Sequence, residues 1–63
     1  MPPLLVFSGE AYRAALAPSR VVAITEEMAL GTCRVHLTSG VPVQVDGDLD
    51  EVLRRIEDAM AST

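Results

Sequence analysis

Residues 32–46, TCRVHLTSGVPVQVD, decide the fold. Cys33, Val35 and Leu37 alternate with Thr32, Arg34, His36 and Thr38. That is a strand with one dry face and one wet face. Val41, Val43 and Val45 alternate in turn with Pro42, Gln44 and Asp46, which makes a second strand of the same kind. The register between them can be derived. A two-residue Ser39-Gly40 turn would pair Thr38 with Val41 and His36 with Val43, mixing polar side chains into the valine face. A three-residue loop, Thr38 to Gly40, pairs Leu37 with Val41, Val35 with Val43 and Cys33 with Val45. All the apolar side chains then share one face. This loop needs its last residue in the left-handed region, where glycine costs least, and Gly40 stands there. Pro42 donates no hydrogen bond, which assigns this strand to a sheet edge.

Upstream, LLVF, Ser8-Gly9 and EAYRAAL read as another hairpin built on the same Ser-Gly device. Its strands fall near 4–7 and 10–16, although AYRAALA taken alone is also compatible with a helix. APS at 17–19 breaks the chain. RVVAITE is rich in β-branched residues and predicts a strand near 20–26. EMALG joins it to the strand near 32–38, and the last strand lies near 41–45. Downstream, Leu49, Val52, Leu53, Ile56, Ala59 and Met60 keep the i, i+3, i+4, i+7 spacing of a helix near 49–60. Glu51 and Arg55 stand as a favourable i,i+4 pair on its polar face. The expected fold is a single α+β domain over residues 1–63. It has a small, bent antiparallel sheet of about five strands (β-hairpin, strand, β-hairpin) and one C-terminal amphipathic helix.

The acidic run VDGDLDEVLRRIE, residues 45–57, outlines an EF-hand calcium loop with Asp46, Asp48, Asp50 and Glu57. An EF-hand needs glycine at its sixth position. Glu51 stands there, and the helical period already runs through residues 49–57. Asp48 as N-cap with Glu51 three residues on is the simpler reading, and acids in a first turn suit the helix dipole. No metal site is expected.

The other polar candidates fare no better. Cys33 and His36 are three apart on one strand, so they point to opposite faces and cannot share a metal or form a dyad. Ser39, His36 and Asp46 can be drawn as a triad on the wet face, but nothing supplies an oxyanion hole. No catalytic residue and no cofactor are expected. The chain is read as a non-enzyme.

Composition narrows the partners. Nine acids against five bases, all arginine, give a net charge of -4. This disfavours direct nucleic-acid binding and favours a larger partner with a basic surface. The aromatics are one Phe and one Tyr, so base stacking has little to work with. The single Cys33 forms no internal disulfide, and no signal peptide or spanning segment is seen. A cytoplasmic location, away from membranes, is expected. Sixty-three residues also leave apolar surface over. One helix covers two to three strands at about 4.8 Å spacing. Leu5, Phe7, Ala11, Ala15, Val21 and Ala23 cannot all lie beneath it. Met28 and Leu30 stand in a loop, where they either fold back onto the core or anchor a partner.

The segments LLVFSGEAYRAAL, SRVVAITEE, RVHLTSGVPVQV and LDEVLRRIE together resemble the small flagellar and swarming-motility protein family (FlbD-type). The likeness is of hydrophobic pattern and turn placement, and it spans most of the chain. It implies the hairpin, strand, hairpin, helix order and a role as a motility accessory. Similar small proteins are encoded by phages of GC-rich hosts. By that analogy the chain is an anti-CRISPR-like inhibitor that occludes a basic nucleic-acid-binding surface in the host cytoplasm. The partner-binding residues expected are Glu26, Glu27, Asp46, Asp48, Asp50, Met28, Leu30 and His36. A structural homodimer through the uncovered sheet face is the third reading.

Overall fold

The computed structural model describes residues 4–62. It contains five antiparallel strands in two sheets and one C-terminal helix. The strands are β1 (Leu5–Ser8), β2 (Arg13–Leu16), β3 (Val21–Glu27), β4 (Thr32–Leu37) and β5 (Val43–Asp46). A single 3₁₀ turn, Pro18–Arg20, precedes β3, and α1 spans Leu49–Ala61. β1 and β2 form a hairpin, while β3, β4 and β5 form a meander in that spatial order. The strands thus divide between two sheets instead of forming one continuous bent sheet.

The decisive hairpin has the derived register. Cys33 pairs with Val45 and Val35 with Val43. Cys33, Val35 and Val45 are fully buried in the core, and the partly buried Val43 packs against it. Gly40 has φ +91°, and its N–H donates to Leu37 O at 2.9 Å. The expected Leu37–Val41 pair does not form. β5 starts at Val43, two residues later than the alternation suggests, and Val41 is 67% exposed. Pro42 has no N–H with which to extend the ladder. Leu37 pairs instead with Val21 on the other side, and β5 is an edge strand.

The first hairpin departs further. β2 begins at Arg13, not at residue 10, because residues 9–12 form a turn closed by Gly9 N–H to Tyr12 O at 2.9 Å. Gly9 is not at positive φ. It is needed for space, since a Cβ there would press on the Tyr12 ring and lie 2.6 Å from Asp46 Oδ2. Tyr12 leaves the strand to place its hydroxyl 2.7 Å from Asp46 N, which donates to it. Leu5 then pairs with Leu16 and Phe7 with Ala14. That register sends Phe7 and Leu16 into the core and leaves Val6 and Ala15 outside. β3 is shifted one residue from its expected 20–26, because Arg20 belongs to the 3₁₀ turn and the strand runs on to Glu27.

The helix begins as expected. Asp48 is the N-cap, and its Oδ1 accepts from Glu51 N at 2.8 Å. Val52 and Ile56 are the helical residues that enter the core, beside Phe7, Leu16, Cys33, Val35 and Val45. Arg55 does not pair with Glu51. Its guanidinium lies 4.3 Å from the centroid of the Phe7 ring and donates to Val6 O at 2.7 Å. One side chain thus ties the helix to the first hairpin by a cation–π contact and by satisfying a backbone carbonyl. Among the described residues, no helix is long and apolar enough to cross a membrane.

Arg55→Ala is expected to lower unfolding free energy by about 1 kcal/mol, the sum of a cation–π contact and a partly exposed hydrogen bond. Arg55→Lys should recover less than half of it, because an ammonium cannot cover the ring and reach Val6 O together. Urea titration followed by circular dichroism measures both.

Candidate interaction surface at the acidic end

Three connections meet at one end of the molecule. Gly47, between β5 and α1, donates its N–H to Gly31 O in the β3–β4 turn at 3.1 Å. Asp46 N–H reaches Tyr12 of the β1–β2 turn. Leu49 N–H, in the first turn of α1, donates to Glu26 Oε2 at 3.2 Å. The β3–β4 turn is held by Leu30 N–H and Gly31 N–H, which both donate to Glu27 O at 3.0 Å. Gly31 and Gly47 take φ +66° and +121°, so both bends need glycine.

This meeting gathers charge. Glu10, Glu26, Glu27, Asp46, Asp48, Asp50 and Glu51 all belong to these turns or the residues beside them, seven of the nine acids in the chain. Partial neutralisation comes from Arg34, 3.7 Å from Glu27 Oε1, and from Arg54, which lines a shallow hollow with Asp50 and Glu51. Met28 and Leu30 project from the same end, 83% and 68% exposed. They do not fold back onto the core.

Of the eight residues expected to bind a partner, seven are brought together here. Their duties differ. Asp48 and Glu26 are engaged as caps of α1, and Glu27 faces Arg34, whereas Asp46 and Asp50 present exposed carboxylates. His36 lies elsewhere. It pairs across the sheet with Ala23, and its Nε2 is 3.2 Å from Thr25 Oγ1. The Ser39, His36, Asp46 arrangement does not form either. Asp46 is opposite Thr32, four strand residues or about 13 Å from His36. Sequence reasoning missed Glu10 and Glu51. Glu10 joins the end only because the first turn is wider than its Ser-Gly signal, and Glu51 was assigned wholly to the cap.

Beneath this end lies Cys33, fully buried, with its thiol 3.4 Å from Gly47 O, to which it donates. Burial pushes its pKa above the ordinary 9.0, and the negative charges of Glu26 and Asp48 push it the same way. A thiol so placed is a small hydrophobe and a poor nucleophile. The sign for stability follows. The protonated thiol is favoured in the fold, so its contribution is intact below the unfolded pKa and is lost as pH rises through the folded one. Among the described residues, no three His, Cys, Asp or Glu side chains are grouped to hold a metal. Comparison with family models, with curated proteins and with solved structures finds no match to this chain.

At pH 8, Cys33 is expected to react with Ellman's reagent at least about a hundredfold more slowly in the native chain than in urea, because reaction requires opening of the fold. Equal rates would contradict the burial described. The native rate should climb with added denaturant.

Proposed function

We propose that this chain is a non-catalytic binding module that sets its acidic end against a basic surface on a larger protein. The observation that carries this reading is the convergence of seven acids around two exposed apolar side chains, Met28 and Leu30. The two features act differently. Clustered carboxylates attract a basic surface from a distance and set orientation, which governs the rate of encounter. Desolvated apolar anchors at the centre of a contact hold it, which governs the rate of dissociation. A basic groove that ordinarily takes nucleic acid would be occupied by such an end, and the chain would then act as an inhibitor by charge mimicry. The family resemblance is compatible with the same surface serving a motility complex.

The test is capture from nuclease-treated lysate, followed by binding measurements on the purified partner. Affinity for the partner should weaken at least about tenfold between 50 and 300 mM salt. Asp50→Asn with Glu10→Gln should slow association and flatten the salt dependence. Met28→Ala with Leu30→Ala should speed dissociation instead. None of these four positions supports the core, so the fold is preserved. Binding that ignores both salt and the acid-to-amide changes would overturn the reading.

A further inference from the structure

β3 is the longest strand, and it stands at the edge of its sheet. On two other edges a side chain already takes a backbone group. Tyr12 occupies the Asp46 N–H at the outer edge of β5, and Arg55 occupies Val6 O of β1. Among the described residues, no strand pairs with the outer edge of β3. Beside it runs an open groove of about 420 Å³ between the strand and α1. Val22, Leu53 and Met60 line it, exposed by 64%, 40% and 51%. A β-bulge between Val21 and Ala23 breaks the pairing with β4 at Val22. A bulge of this kind re-aims a side chain. It also keeps an edge from pairing without limit, so this edge offers a short seam and no more.

We propose that a second copy of this chain occupies that edge. Two β3 strands pair antiparallel about an axis near Ile24, the midpoint of Val21–Glu27, and Leu53 and Met60 of the two helices close over the seam. The charges on the strand select this occupant. Arg20 precedes the strand, and Glu27, its side chain 38% exposed beside Arg34, ends it, while Glu26 is taken up in capping α1. Antiparallel self-pairing sets the arginine end of one copy against the glutamate end of the other, on both sides of the axis. A parallel pair would oppose like charges at both ends. The strand is therefore complementary to its own reverse, a property that an isologous two-fold contact requires. The dimer also satisfies an edge of backbone donors and acceptors and covers the apolar groove in one step.

Sedimentation equilibrium on the full chain tests this. The wild type should dimerise with a Kd between about 1 µM and about 1 mM. Arg20→Glu alone and Glu27→Arg alone should each weaken dimerisation at least about tenfold, because each places like charges together twice. Mixing the two variants should restore association toward the wild-type level, since positions 20 and 27 then face unlike charges on both sides of the axis. Circular dichroism confirms that each variant is folded, and Leu53→Glu gives an independent disruption at the helix seam. Wild type that stays monomeric at about 1 mM overturns the proposal. So do single variants that dimerise like wild type, or a mixture that fails to recover. The Asp50→Asn with Glu10→Gln variant should dimerise normally, which separates this edge from the acidic end.

Discussion

The first turn of α1 is fixed from two directions, and the rest of the molecule depends on that corner. Asp48 caps Glu51 N from within the helix. Glu26 caps Leu49 N from the end of β3. Between them Gly47 bends the chain and bonds to Gly31. A helix start has four unpaired N–H groups, so carboxylates brought there relieve a real deficit. The positive end of the helix dipole also offsets the mutual repulsion of the acids. The same corner orients α1 so that Val52 and Ile56 meet the valine face of the meander. A local cap, a tertiary cap and a glycine bend thus decide how the core closes.

This accounts for the crowding of acids at one end. Placed elsewhere on so small a surface, seven carboxylates would repel each other with nothing to oppose them. Here two of them accept helix N–H groups and one faces an arginine. The charge that suits a basic partner and the charge that starts the helix are partly the same charge. Removing Glu26 or Asp48 would therefore confuse structure with binding, whereas Glu10, Asp46 and Asp50 carry exposed carboxylates.

What was legible in the sequence followed from periods and from glycines that answer to a single turn. The 32–46 hairpin announces its register because only one loop length puts Cys33, Val35, Val43 and Val45 on one face. The helix announces itself by its stripe and by Asp48 and Glu51. The first hairpin was harder to read because Gly9 looks like Gly40 in sequence but serves another purpose. Its hydrogen yields room for Tyr12, whose hydroxyl is needed 34 residues away at Asp46. Nothing local encodes that. Arg55 misled in the same manner. Its neighbour Glu51 is four residues away, but a ring and a carbonyl from β1 compete for it and win. The acidic end was legible as a set of residues and illegible as a place, because its assembly depends on three turns meeting.

The remaining constraint is size. A chain of 63 residues cannot enclose both sheets and all sides of its helix. Besides Leu4, Val6 and Val41, its exposed large apolar side chains form two groups with different surroundings. Met28 and Leu30 stand amid carboxylates at the end of the strands, while Val22, Leu53 and Met60 lie along the β3 flank. One surface lies across the strand ends and the other along a strand edge. Antiparallel association of two β3 edges would send the two acidic ends in opposite directions. Each copy would then keep its Leu30 tip outside the seam, with Met28 opposite Arg20 at its margin, and the pair would present two identical docking ends. Two linked ends of modest individual affinity hold a repetitive or symmetric basic target far more firmly than one, provided that the target's spacing matches the span. Dimerisation at the edge and docking at the end meet at Glu26 and Glu27, which close β3 and belong to the acidic end, while the apolar anchors of the two surfaces are separate residues.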